Sequence, residues 1–459
     1  MSPFLGRPMV FGAVVLVAAL VTPARAETPP PTLFTDATVI TMGEAGTLPR
    51  HDVLVVDGRI ARIAPTGSVA PPRGTRRVDA AGRYLVPGLA EMHAHLPGPD
   101  RRQYAEDVLL LYVAHGITTV RGMLGHPWHL ELRQSTANRT LLGPRIYTAG
   151  PSLNGSSAPD ADTARRRVRE QKAAGYDFLK LHPGLKREVF DAIADEARAA
   201  GMAFEGHVSE DVGLAHALAA GQRAIDHLDG YMQLLVEPGC FDGPVAAGLF
   251  GIGLTRCASA ARIPAAVKAT RVAGAWMAPT QVLLERWVRP PDLESLRKQP
   301  ASRYVADATL EQWYAGRLRF LGAAAIPEET AQKFISLRRE LIRQLHAAGV
   351  PILLASDAPQ VFTVPGESAL AELELYVAAG LSPHEALATG TTQPARFYDA
   401  GMVFGTVGEG LEADLVLLDG NPLEDISQVR RIAGVMVRGH WLDRAALDTK
   451  LDALAARQR

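Results

Sequence analysis

Four stretches of the chain repeat one order of apolar and polar positions. "RVREQKAAGYDFLKLH", "AIADEARAAGMAFEGH", "GLAHALAAGQRAIDH" and "LIRQLHAAGVPILLASD" each begin with apolar residues at helical spacing. Each then reaches a glycine (Gly175, Gly201, Gly221, Gly349) of the kind that takes the left-handed position after a helix. A strand-length apolar run follows, with no turn residue inside it. Helix, glycine and strand in repetition predict βα units around a parallel sheet. "LLLYVAHGITTVRGM" keeps the same order, "GPRIYTAGP" and "AGAWMAPTQV" add strands, and "YLVPGLAEMHAH" supplies the first. The sum is eight candidate strands across about residues 85–360, the number and rough length of a (β/α)8 TIM barrel. An open doubly wound sheet competes, but no glycine-rich phosphate fingerprint follows the first strand.

The two ends read differently. Residues 32–84 and 405–442 alternate and turn, giving short β segments broken by Gly and Asp. They flank the barrel, so one small β domain built from both ends is the simplest assembly. The long interval between Gln281 and Leu345 contains the helix-like "TLEQWYAGRLRF", which predicts an insertion over the barrel mouth.

The start of the chain adds a compartment. Arg7, an apolar run over residues 10–21, and Ala24-Arg25-Ala26 before Glu27 describe a secretory signal peptide cut after Ala26. The run is shorter than a membrane span needs. The expected division is therefore 1–26 signal peptide, 27–84 first part of the β domain, 85–400 barrel and 401–459 second part. A periplasmic or secreted protein results, without stable membrane association after cleavage. Export permits a disulfide between Cys240 and Cys257. The formal net charge of −1 excludes the basic surplus expected of a nucleic-acid binder and leaves a small-molecule substrate. A homo-oligomer is compatible with all of this.

In every repeated unit a polar side chain arrives at the end of the apolar strand, and in a parallel barrel those ends share one face. His93 and His95 close the first strand in "EMHAH", and side chains at i and i+2 point the same way. Lys180, His207, His227 and Asp357 reach the same rim from later strands. Nitrogen and carboxylate donors gathered in this way suit a divalent transition metal, zinc first. Glu205 is expected as a buried carboxylate near the site rather than a ligand.

"VPGLAEMHAHL", "GITTVRGM", "FEGHVSEDVGLAHALAAGQRAIDHLDGY", "LLASDAP" and "LEADLVLLDGNPL" resemble the amidohydrolase superfamily, in its exported imidazolonepropionase-like and prolidase-like branch. The resemblance covers about residues 34 to 445. It implies a (β/α)8 barrel with a β-sandwich made from both termini. It also implies metal ligation by His93, His95, His207, His227 and Asp357. Lys180 stands where many relatives carry a lysine carboxylated by carbon dioxide that bridges two metals, so one or two Zn2+ per chain are expected. Gly122 departs from the Asp that relatives often have there, and a substrate role borrowed from that Asp does not transfer.

The chemistry implied is hydrolysis of an amide, cyclic amide or peptide bond. A metal lowers the pKa of its water to near 7, the resulting hydroxide attacks the carbonyl, and Asp357 shuttles the proton to the leaving nitrogen. His227 or His182 would support the oxyanion, and His182, Arg121 and Tyr231 are the expected substrate contacts. An ester or lactone hydrolase using the same site, and a non-catalytic metal- or ligand-binding relative, are the alternatives. His115, His216 and His346 fall in helical stretches, His384 lies inside a capping box opened by Ser382, and His126 and His129 sit in the loop after the second strand.

Overall fold

The computed structural model describes residues 29–243, 245–290, 292–321 and 326–458. The expected signal peptide, residues 1–26, lies outside the described residues. Five strands come first: β1 (Thr32–Ile40), β2 (Thr47–Val56), β3 (Arg59–Pro65), β4 (Arg76–Asp79) and β5 (Tyr84–Pro87). An Asp57-Gly58 turn with both residues at positive φ joins β2 to β3, the conformation that matches the twist of a hairpin. "YLVPGLAEMHAH", expected as one strand, is two. Tyr84–Pro87 pairs with β1 and belongs to the end domain. The chain breaks at Gly88, where an added Cβ would lie 2.2 Å from Thr118 Oγ1.

Seven parallel strands follow: β6 (Leu89–Ala94), β7 (Ile117–Gly122), β8 (Arg145–Thr148), β9 (Leu179–Leu181), β10 (Phe204–Gly206), β11 (Ala224–Asp226) and β12 (Trp276–Ala278). They form a three-stranded sheet, β6-β7-β8, and a four-stranded sheet, β9-β10-β11-β12. Two isolated parallel bridges, Ala149 to Phe178 and Leu153 to Leu181, link the end of the first to β9 of the second. The four glycines of the repeated unit all adopt the left-handed conformation expected of them, with φ of 83° at Gly175, 59° at Gly201, 86° at Gly221 and 78° at Gly349.

The segment expected as an eighth strand, "PILLASD", makes no continuous ladder. It lies between β12 and β6 through isolated bridges, Met277 to Ile352 and Ala94 to Ala358. Glu91 gives the physical reason. Its buried carboxylate accepts from the backbone N–H of His93 and of Ser356, both at 2.9 Å, taking donors that a ladder would otherwise pair.

Three last strands, β13 (Leu415–Leu418), β14 (Ile432–Val437) and β15 (His440–Asp443), return to the first five. β13 pairs antiparallel with β5, so both chain ends share one eight-stranded sheet of order β15-β14-β13-β5-β1-β2-β3, with β4 on β1. The rings of Phe34 on β1 and Trp441 on β15 meet edge to face at 4.9 Å. Those strands stand four places apart, and neighbouring strands are themselves about 4.8 Å apart, so the sheet folds back over its own apolar face.

Cys240 and Cys257 form a disulfide, with Cα atoms 5.8 Å apart. The insertion contributes a helix over Asp307–Leu321. Among the described residues no helix is long and apolar enough to cross a membrane.

Candidate metal centre

Strand ends bring three donors together: His93 from β6, His227 just past β11 and Asp357 from the segment after Ile352. One ligand atom of each lies within 4.8 Å of the other two, and all three residues are buried. Burial, reinforced by the charge of Lys180, lowers the pKa of His93 to about 4. Burial and the facing His207 hold His227 well below its ordinary value. Both rings are therefore neutral and keep a lone pair. Burial would raise Asp357, but His93, His95 and His227 outweigh it and keep the carboxyl ionised. Neutral imidazole nitrogens and a carboxylate fit a divalent cation.

Hydrogen bonds settle which nitrogen faces inward. Thr280 donates to the Pro279 carbonyl, so its oxygen accepts from His227 Nδ1 at 2.8 Å and leaves Nε2 bare. Asp229 can only accept, so His207 Nδ1 donates to it at 2.8 Å. His93 turns Nδ1 to Asp226, 3.2 Å away, and Nε2 to Asp357 Oδ1, also at 3.2 Å. His95 Nε2 meets the same Oδ1 at 2.6 Å. His207 stacks beside His227, ring centres 4.6 Å apart, and His182 beside His207 at 4.9 Å. The expected histidines thus form one contiguous row.

Lys180 is fully buried and stands next to this row, but its ammonium donates to Asp226 Oδ2 at 2.6 Å. Asp226 also accepts from Arg121 Nη2 at 3.3 Å, and Arg121 Nη1 donates to Glu205 at 2.8 Å. Two cations and two carboxylates balance below the donors, with Glu205 the buried carboxylate expected there. Arg121 was expected to hold substrate. It is fully buried, and its Nε donates to the Met92 carbonyl, so it serves the interior instead.

Tyr231 is likewise corrected. A short helix, Tyr231–Leu235, begins at that residue and turns its ring into the core, where the hydroxyl shares a 2.5 Å hydrogen bond with Thr270. His182 does reach the opening. With His95 and Gln360 it lines a cavity of about 940 Å³, walled by Tyr104 and Trp313. Burial and the Lys180 charge push the His182 pKa down to about 2, and its buried Nδ1 has no hydrogen-bond partner among the described residues. Trp313 comes from the insertion helix. Arg101 and Arg457 also line the cavity. The Arg457 guanidinium pairs with Asp107.

Several other histidines make structural contacts. His216 pairs with Asp191 and His346 with Glu385, while His115 caps the helix Arg102–Ala114 and donates to Leu111. Ser382 and Glu385 form the expected capping box around His384. His129 ties its loop to the Pro97 carbonyl at 3.1 Å and accepts from the His126 N–H. Sequence reasoning missed Glu91, Asp226, Asp229, Thr280 and Gln360. A charged residue inside an apolar strand was the available signal for the first two.

The sequence profile of the amidohydrolase family matches residues 84–442. Adenine deaminase 3 of Rhizobium meliloti (strain 1021) is 31% identical over 194 residues, 39% of this chain and 33% of that one. The match thus spans about a third of that relative's length. Imidazolonepropionase of Stenotrophomonas maltophilia (strain R551-3) is 24% identical over 411 residues, 84% of this chain and 91% of the relative. Among solved structures, a Xaa-Pro dipeptidase with methionine in its active site superposes with a TM-score of 0.65 at 18% identity, covering 90% of this chain and all (100%) of that one.

Proposed function

Given that this chain belongs to the amidohydrolase family, we propose that it is a metal-dependent hydrolase of carbon–nitrogen bonds that cleaves a small amide, cyclic amide or dipeptide, a reading supported by its relatives and by the His93, His227 and Asp357 cluster. The substrate enters the cavity above His95, His182 and Gln360. Its volume of about 940 Å³ is in the range of small-molecule pockets. Tyr104 and Trp313 offer apolar wall, and Arg101 offers the positive charge first sought at Arg121, Arg457 being paired with Asp107. N-acyl amino acids and dipeptides match that lining.

The observation that carries the reading is the position of Asp357. Its Oδ1 meets His93 and His95, and its Oδ2 accepts at 2.8 Å from Nε2 of Gln360, which with His95 lines the cavity. A divalent cation, zinc first, supplies Lewis acidity and lowers the pKa of water there. Asp357 takes the proton at its carboxylate as water adds to the carbonyl and returns it to the departing nitrogen. His182, neutral and aimed from the rim, donates to the carbonyl oxygen as charge develops on it.

His93, His227 and Asp357 would hold the first cation, with His95 beside them. His207 and a carboxylated Lys180 would hold a second. Carboxylation turns the Lys180 cation into an anion and releases Asp226 to Arg121. Two metals per chain that depend on bicarbonate during expression support this; one metal regardless overturns it and leaves Lys180 as the partner of Asp226.

The seven parallel strands, from β6 onward, and the segment between β12 and β6 are read as a (β/α)8 barrel whose start lies after β5 rather than at residue 85. The folded-over sheet of β1–β5 and β13–β15 is read as its β-sandwich. Export with removal of residues 1–26 is supported by the cleavage pattern and by the disulfide, which suits an oxidising compartment. The test of function is Asp357→Asn, assayed on paired amides and esters of dipeptides and N-acyl amino acids. Retained metal with nearly all amide turnover lost is expected. Unchanged turnover, or cleavage of the esters alone by the native enzyme, contradicts the proposal.

A further inference from the structure

Besides Asp357, three residues at the ends of β11 and β12 hold backbone conformations that side-chain-bearing residues avoid: His227 at φ 58°, Leu228 at φ 58° and Thr280 at φ 49°. Two successive left-handed residues at His227 turn the chain sharply as it leaves β11. Such geometry persists only where its surroundings over-determine it.

Arg338 is what surrounds it. This arginine projects from the helix Glu328–Ala347 and is only 2% exposed. Its Nη1 donates to the His227 carbonyl at 2.8 Å, its Nη2 to the Pro279 carbonyl at 2.9 Å and its Nε to Gln281 Oε1 at 2.9 Å. Among the described residues no carboxylate forms an ion pair with it, and its hydrogen bonds go to neutral acceptors. The bonds close a ring: guanidinium to the His227 carbonyl, His227 Nδ1 to Thr280 Oγ1, Thr280 Oγ1 to the Pro279 carbonyl, and that carbonyl back to the guanidinium.

We infer that Arg338 is a positioning residue for the metal centre: by clamping the ends of β11 and β12 together it fixes the direction in which His227 Nε2 points. The inference rests on His227 being a metal ligand. A planar fork with fixed donor directions does this, and a lysine ammonium, a single flexible point of charge, does not. Partners that orient a ligand commonly change metal affinity by about 10- to 100-fold.

The test uses the full chain loaded with Co2+, reading affinity by chelator competition and ligand geometry by the visible spectrum. Arg338→Lys and Arg338→Met are compared with Leu341→Ala, which loosens the same helix from a buried position without touching the ring. Thr280→Val opens the ring from its other side and serves if the arginine variants fail to fold. The Arg338 and Thr280 variants are expected to lose about tenfold or more in Co2+ affinity and to shift the spectrum. Leu341→Ala is expected to lower Tm with the spectrum unchanged. Native affinity and spectrum in Arg338→Met, or in Thr280→Val if that is the variant that folds, overturn the inference, as does the same shift in Leu341→Ala. Failure of the native protein to bind Co2+ at all instead overturns the underlying reading of His227.

Discussion

Arg121 Nη1 donates to Glu205 Oε2 at 2.8 Å, and both side chains are fully buried beneath the metal donors. A substrate cannot reach such an arginine. Arg121→Met should therefore act on the fold: it leaves Glu205 with only Arg223, 3.6 Å away, and Asp226 with only Lys180 and His93. Breaking a buried ion pair from one side costs about 3–5 kcal/mol. Denaturant unfolding should show that loss, with KM of the folded fraction unchanged. Tyr231→Phe, which removes only a hydroxyl bonded to Thr270, should cost about 1 kcal/mol, again with native KM. A several-fold rise in KM for either variant would restore the expected substrate role.

Asp229 fixes the proton of His207 on Nδ1. Asp229→Asn can present an amide N–H to that nitrogen and favour the wrong tautomer. Metal affinity is expected to fall about 10- to 100-fold, measured by chelator competition. Unchanged affinity would remove His207 from the ligand set.

The site was legible in the sequence where strand alternation held. His93 in β6 and His95 just past its end both reach Asp357, and the glycine-ended helices announced the extended segments that deliver Lys180, His207 and Asp357. Asp226 was not legible, because alternation sends it away from its neighbour His227. The left-handed turn at His227 swings that ring back so that both serve one centre. Asp357, at φ 63°, does the same beside Ser356, whose hydroxyl donates to Glu91 at 2.5 Å. Tyr231 misled through closeness in sequence, since a helix begins at that residue. The shared end sheet was legible in outline, but its entry at Tyr84–Pro87 was hidden inside an apolar run that continues into β6.

Glu367 tests the pH behaviour far from the metal. Burial would raise its pKa, but Arg286 and Arg430 outweigh that and hold it below the ordinary value of 4.5. Glu367 accepts from Arg286 at 3.1 Å. A depressed carboxylate stabilises the fold above its unfolded pKa and loses that contribution as pH falls through the folded one. Glu367→Gln should thus be less stable by about 2 kcal/mol at neutral pH, and the gap should close as pH drops below about 4.5. A gap that stays constant from pH 7 to pH 3 in urea unfolding would contradict the assignment.

The disulfide closes a loop between positions 17 apart. Replacing both cysteines by serine should cost about 3 kcal/mol and leave metal content intact, since neither cysteine is among the donors. Differential scanning calorimetry with elemental analysis checks both halves of that expectation.

The account stands on a divalent metal held by His93, His227 and Asp357. Its most direct test is hydrolysis of a carbon–nitrogen bond by the purified protein after chelator stripping and again after titration with Zn2+. The account predicts turnover at background in the stripped protein and recovery that saturates at one or two equivalents per chain. Full turnover by protein that elemental analysis shows to be metal-free would contradict it.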